Sequence, residues 1–233
     1  MTRRIFAVDI GGTHLKASVV AADGTLLADP VRTDSPAGAP PAAFACAIAA
    51  MAQGLPGFDA VALGFPGVVR DGYVRTAPLF ADPAWQGYAL CAELERLTGK
   101  PCRMANDADV HGFAVIEGRG LEMVVTLGTG FGTSLYTDGR LCPHLELAHH
   151  PFLDGRTYNE CVGEAARRAC GDEEWLRRVH EAIRVLRVLT NFDRLHVGGG
   201  NARLLERPLP ADVRVVDNVA GIVGGAWLWR DGA

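Results

Sequence analysis

Two glycine-rich turns, each set between a pair of strand-like runs, constrain the fold of this 233-residue chain more than any other feature of it. The first follows an apolar run over residues 4–10, reads Asp9-Ile10-Gly11-Gly12-Thr13, and leads into residues 14–20, which alternate polar and apolar. The second follows an apolar run over 122–127, reads Gly128-Thr129-Gly130-Phe131-Gly132, and leads into a strand over 133–136 closed by Asp138-Gly139. Neither turn has the Gly-Lys-Ser/Thr of a P-loop, and neither opens a helix as a dinucleotide fingerprint does. A chain of this length makes one large domain or two small ones. Recurrence of the same strand-turn-strand unit therefore predicts two similar α/β lobes that enclose a cleft.

The intervening pattern supports that reading. Asp23-Gly24 signals a hairpin before a third strand over 25–28, making an antiparallel meander. A helix over 41–53 and a buried strand over 59–63 follow, the strand running into Gly64-Phe65-Pro66-Gly67. Asp71-Gly72 marks another hairpin, and a helix over 88–97 ends at Gly99. A strand over 102–105 then meets Asn106-Asp107-Ala108-Asp109 and a helical pattern. In the second half, an irregular Pro/His segment over 142–156 precedes helices over 158–169 and 173–189. A short strand over 195–197 enters Gly198-Gly199-Gly200-Asn201, and a strand over 213–216 and a helix over 219–230 close the chain. The expected division is a small lobe over 1–107, with the last helix packing back on it, and a larger lobe over 108–218.

Composition excludes several classes. With 48% hydrophobic and 21% charged residues the chain is neither disordered nor a disulfide miniprotein. Its 27 acidic residues outnumber 23 basic ones, leaving no electrostatic footprint for nucleic acid. Only Lys16 and Lys100 are lysines, an arginine excess that reads as a genome composition bias. The six cysteines form no C-x-x-C pair, so neither a zinc ribbon nor a disulfide framework is expected. The run over 42–52 is far short of a membrane span, and Asp9 interrupts the first apolar run too soon for a signal-peptide core. A cytoplasmic protein without a membrane partner is the expectation.

The chemistry-bearing residues cluster at strand ends. Gly11 and Gly12 let backbone N–H groups approach a phosphate without a Cβ in the way, Thr13 adds a hydroxyl donor, and Lys16 lies on the strand face of His14 and Ser18. Thr129 and Gly130 offer a second cradle of the same kind. Gly199 and Gly200 would let a nucleotide or polyanion approach the backbone of a third turn. Asn106 or Asp107 could be a helix N-cap; alternatively Asp107 serves as general base beside Asn106 as a hydroxyl ligand. Glu146 and His149 have no standard zinc spacing, even with Cys142 and His144 nearby, and suit hydrogen bonds to sugar hydroxyls better. Glu160 is either a further hydroxyl acceptor or a first-turn acid favoured by the helix dipole.

In this order, Asp9-x-Gly-Gly-Thr, Gly64-x-Pro-Gly67, Asn106-Asp107, the 126–132 turn, Glu146-x-x-His149 and Gly198-Gly199-Gly200 resemble the motifs of ROK-family sugar kinases over nearly the whole chain. Within that family the sequence is most similar to the polyphosphate glucokinase branch, through Gly11-Gly12-Thr13-His14-Leu15-Lys16, Phe65-Pro66-Gly67-Val68-Val69 and Asn106-Asp107-Ala108-Asp109. The resemblance implies a ribonuclease-H-like (actin-like, hexokinase-like) two-lobe α/β fold with a central cleft. It also implies transfer of a phosphoryl group from polyphosphate, ATP or both to the 6-hydroxyl of glucose, with other hexoses such as mannose or N-acetylmannosamine as alternatives. Asp107 would be the base; Asn106, Glu146, His149, Glu160 and Gly67 would hold the sugar. Asp9, Gly11, Gly12, Thr13, Lys16, Thr129, Gly130, Gly199 and Gly200 would serve the donor, Asp9 organising Mg2+ through water. Phosphoryl transfer needs mainly positioning and charge stabilisation, which such parts supply.

The resemblance further suggests a homodimer. Three departures carry expectations of their own. Ala148 stands where the family usually has glycine before the substrate histidine. The family's C-x-C-G-x-x-G-C zinc run is missing, so no structural zinc is expected. Residues 201–217, between Gly200 and Asn218, leave little chain for an adenine pocket. The family's regulators carry a helix-turn-helix ahead of the first phosphate strand, and here three residues precede that strand, so a non-catalytic sugar sensor is the weaker alternative.

Overall fold

The computed structural model describes residues 3–36, 38–205, 209–216 and 220–230. Backbone proximity divides them into an N-terminal unit, comprising the described residues up to 114 with 220–230, and a C-terminal unit from 115 to 216.

The N-terminal unit contains β1 (Arg4–Ile10), β2 (His14–Ala21), β3 (Val31–Asp34), α1 (Pro41–Met51), β4 (Ala60–Phe65), α2 (Leu90–Thr98), β5 (Cys102–Asn106) and α3 (Asp107–Phe113). Its sheet runs β3-β2-β1-β4-β5, antiparallel through the meander and parallel from β1 to β5. The alternation of strand side chains sends Phe6, Val8, Ile10, Leu15, Ala17, Leu63 and Phe65 to one face, where they bury against Phe44 and Ile48 of α1, Leu90 and Leu94 of α2, and Trp85. The helix α2 stops at Gly99, whose φ of 66° is the left-handed cap expected of glycine.

Two expectations for this unit need correction. The third strand is Val31–Asp34, not 25–28; that earlier segment makes one isolated bridge, Val20 to Leu26, and the strand resumes after Pro30, which has no N–H to offer a ladder. The closing segment is not one helix: α-helix covers Ala220–Val223 and a 3-10 helix covers Gly224–Trp229, residue 219 lying outside the described residues. Close packing explains the change. A Cβ on Gly224 would strike the Val110 carbonyl oxygen, and one on Gly225 would stand 3.0 Å from the Ala7 Cβ and 3.2 Å from that of Ala62. The segment therefore lies directly on the small residues of the second sheet face, where Trp229 Nε1 donates to the Val61 carbonyl at 3.1 Å.

The C-terminal unit contains β6 (Leu121–Leu127), β7 (Phe131–Thr137), β8 (Arg140–Leu141), α4 (Tyr158–Val162), α5 (Glu164–Cys170), α6 (Asp172–Thr190), β9 (Arg194–Gly198) and β10 (Val213–Val215). Its sheet runs β8-β7-β6-β9-β10, with the same antiparallel-then-parallel pairing as the first. Met123, Val125, Leu127, Leu195 and Val197 face Trp175, Val179, Ala182 and Leu186 of α6. The expected single helix over 158–169 breaks at Gly163, where a Cβ would stand 2.7 Å from the Asn159 carbonyl oxygen and 3.0 Å from that of Thr129. On the opposite sheet face Glu122 is buried. It accepts backbone N–H groups of Glu117, Gly118 and Arg119 and a bond from His196 Nε2 at 2.8 Å, a buried network no sequence signal marked.

Candidate active site

The first glycine turn is held by backbone. Gly11 N–H donates to the His14 carbonyl at 3.0 Å, Ser35 N–H donates to the Thr13 carbonyl at 2.9 Å, and Ser35 Oγ donates to the Gly11 carbonyl at 2.5 Å. Glycine is needed at position 11, because a Cβ there would lie 2.9 Å from the His14 carbonyl oxygen. Asp9 is paired in register with Lys16 across the β1–β2 ladder, so both side chains share one sheet face beside this turn.

Asp107 opens α3 on that same unit. Asn106 is the N-cap, settling the choice between the two: its Oδ1 accepts the Ala108 N–H at 2.8 Å while its Nδ2 donates to the Gly67 carbonyl at 3.1 Å. Buried Gly67 is thereby tied to the start of α3, and a Cβ on it would strike the Thr76 carbonyl oxygen. Asp107 Oδ1 takes part in the same cap, accepting the Ala108 N–H at 2.9 Å. One turn further along α3 lies His111, a residue the sequence reading missed. It stands against Asp9: a Cβ on Gly221 would meet His111 Nε2 and lie 3.0 Å from Asp9 Cγ. Burial lowers the His111 pKa, the Asp9 carboxylate opposes that, and Lys16 adds to the lowering. Its position four residues after Asp107 was the available signal, since i and i+4 share a helix face.

A magnesium ion fits this corner. Mg2+ takes one or two carboxylates and completes its shell with water and substrate phosphates. Asp9 offers one hard oxygen donor beside the first glycine turn, with the His111 ring close to its carboxylate. Among the described residues no three His, Cys, Asp or Glu side chains converge as a metal cluster.

In the C-terminal unit the second turn is held by helices. Phe131 N–H donates to Asn159 Oδ1 of α4 at 2.7 Å, Glu164 N–H at the start of α5 donates to the Gly128 carbonyl at 3.0 Å, and Gly128 N–H donates to the Gly130 carbonyl at 3.1 Å. Thr129 is exposed at its tip. Gly199 has φ of 88°, and a Cβ on it would collide with Leu127 backbone, so this glycine serves close packing of the third turn against β6. Gly200 faces open space, and Asn201 Nδ2 binds Glu164 Oε2 at 2.8 Å. Hydrogen bonds from Arg167 and Arg168, with that from Asn201 added, hold the Glu164 carboxyl far below the usual carboxylate range.

Glu146 and His149 lie at a 3-10 turn, Leu147–His149, in the same unit. His144 Nε2 is 3.2 Å from Glu146 Oε1 and lowers the Glu146 pKa, while His149 Nε2 lies 3.8 Å from Glu146 Oε2. His149 and His150 are both exposed, and the His150 ring is tilted against Tyr158 at 6.4 Å. Glu160 is exposed and closes a capping box: its Oε2 accepts the Thr157 N–H at 2.8 Å and the Thr157 hydroxyl at 2.9 Å. Only its Oε1 is left for a ligand by those bonds.

Two sheets of identical strand order, each with a glycine turn after its first strand, define the ribonuclease-H-like, actin-like class of α/β proteins. The chain belongs to the ROK family, whose profile matches residues 5–146. It is 33% identical to a polyphosphate glucokinase of Mycobacterium leprae, over 96% of this chain and 74% of the relative, and 31% identical to that of Mycobacterium tuberculosis, over 96% and 90%. Among solved structures it is similar to an inorganic polyphosphate/ATP-glucomannokinase from an Arthrobacter strain, with a TM-score of 0.84, 28% identity and 97% of each chain covered. A ROK glucokinase from Streptomyces griseus, solved with glucose and AMPPNP, shares the fold at a TM-score of 0.80 and 20% identity, covering 97% of this chain and 98% of that one.

Proposed function

We propose that this protein is a glucokinase-type phosphotransferase that moves a phosphoryl group from polyphosphate, ATP or both to the 6-hydroxyl of glucose. The observation that carries the reading is Asp107, set at the first turn of α3 and anchored through Asn106 to Gly67, within a chain alike from end to end to polyphosphate glucokinases. Its carboxylate takes the 6-hydroxyl proton as that oxygen bonds to the donor's terminal phosphorus. The bridging P–O bond breaks, and the donor leaves one phosphate shorter. Backbone N–H groups of Gly12, Thr129 and Gly130, with Thr13, Lys16, Gly199 and Gly200, hold the donor, Gly11 shaping the first turn through its own bond to His14, and Asn106, Gly67, Glu146, His149 and the free oxygen of Glu160 orient the sugar. Asp9 would hold Mg2+ through water, and the ion would supply positive charge against the donor's phosphates.

Polyphosphate is favoured because the described residues between β9 and β10 form a single 3-10 turn, Ala202–Leu204, leaving little to enclose an adenine. Family resemblance supports a homodimer. No helix among the described residues is long and apolar enough to cross a membrane, in keeping with a cytoplasmic enzyme. A coupled assay for glucose 6-phosphate, run with each donor and with glucose or mannose, tests the reading. Product from glucose with polyphosphate is expected; activity with ATP alone would remove the polyphosphate half, and no product with either donor would remove the whole.

A further inference from the structure

We infer that Arg32 on the edge strand β3 is a second cationic contact for the donor, which extends the Lys16 subsite outward and selects a donor that is anionic along its length. The inference rests on the phosphotransferase reading above. The ladder places Asp9 opposite Lys16 and Lys16 opposite Arg32, so an acid and two cations form one row across β1, β2 and β3. Directly opposed residues of an antiparallel pair project from the same face, and like charges so placed repel. Asp9 opposes Lys16 across β1 and β2, whereas Arg32 on the edge strand has no acid opposite it. Among the described residues no carboxylate lies within ion-pair distance of Lys16 or Arg32, and the nearest acid along β3, Asp34, is engaged by His14 Nδ1 at 3.1 Å. Most arginines of the C-terminal unit, by contrast, stand on carboxylates, as Arg167, Arg178, Arg184 and Arg187 do.

An exposed arginine on an edge strand also guards against pairing with another chain. That duty is met from either face, whereas Arg32 stands on the face of Asp9. Strands lie about 4.8 Å apart, so the row carries positive charge about 10 Å outward from Asp9. A triphosphate ends in a neutral ribose over that distance, whereas polyphosphate presents an anion at every unit. A polyanion laid across β1 to β3 would relieve the Lys16–Arg32 repulsion and add one exposed ion pair at Arg32.

The test compares wild type with Arg32→Ala and Arg32→Lys, measuring KM for long-chain polyphosphate, ATP and glucose, and direct binding of polyphosphate without glucose across a salt series. An exposed ion pair predicts a rise of about threefold to fivefold in the polyphosphate KM of Arg32→Ala, with ATP and glucose moving less than about twofold. Arg32→Lys keeps most of the affinity, and the slope of log affinity against log salt falls by about one contact in Arg32→Ala. Equal shifts for polyphosphate and ATP, or an unchanged polyphosphate KM and salt slope, overturn the inference while leaving the phosphotransferase reading intact. A wild type that neither binds nor uses polyphosphate overturns both the inference and the polyphosphate half of that reading.

Discussion

The two glycine turns look alike in sequence and are built differently. The turn at Gly11-Gly12 is locked by its own strands: the Gly11 and His14 backbones close it, and Ser35 just beyond β3 braces it. The turn at Gly128 to Gly132 leans on helices instead, through Asn159 of α4 and Glu164 of α5. The first is therefore stiff and intolerant of side chains, while the second is as well placed as α4 makes it. The catalytic candidate also belongs to the first region, because α3 follows directly on a strand of the same sheet.

Substitutions can break or sharpen this contrast. The largest effect is expected where the first region carries the chemistry. Asp107→Asn should lower kcat by about 10²–10⁴ with an unchanged thermal melt, the usual contribution of a positioned base. Near wild-type turnover in steady-state assays would refute the base assignment. Gly11→Ala should cost about 1–3 kcal/mol of stability and raise the donor KM, because its Cβ meets a backbone oxygen that cannot swing away; denaturant unfolding measures it. In the second turn Gly130→Ala meets only the Asn159 side-chain oxygen, at 2.9 Å. Asn159→Ala should cost about 1 kcal/mol through the lost bond to Phe131 N–H, and the double variant should fall short of the sum of the two.

A smaller effect concerns pH. His144 holds the Glu146 pKa down, so the carboxylate stays charged to lower pH than an isolated one. His144→Ala should move that pKa up toward the ordinary value of about 4.3, shifting the acid limb of the glucose kcat/KM profile to higher pH. Identical acid limbs in the two profiles would remove Glu146 from sugar binding. Least of all, Gly128→Ala should change stability by no more than about 0.5 kcal/mol, since nothing lies within 4 Å of the added Cβ. A large loss there would mean the second turn is as rigid as the first.

Much of this was legible in the chain. The repeated strand-turn-strand signal, Asp138-Gly139, the Gly99 stop and Asn106 before α3 are local rules, each decided by backbone conformations that a few neighbouring residues impose. Third-strand placement and the break at Gly163 were not, because they depend on where Pro30 falls against β2 and on how closely Asn159 and Thr129 approach a glycine thirty-four residues after Thr129. Glu160 shows the same limit within one residue. Its type and position fitted both a sugar ligand and a cap, and the structure gives one of its oxygens to Thr157.

The sequence by itself determined the duplicated α/β plan, the family and the residue types at each strand end, because periodicity, turn chemistry and motif order are properties of neighbours along the chain. Tertiary structure alone decided that His111 lies against Asp9, that His196 meets Glu122 and that Arg32 stands opposite Lys16. Strand register and helix docking bring together residues far apart in sequence, and the strength of charge and hydrogen-bond interactions is set by distance and burial.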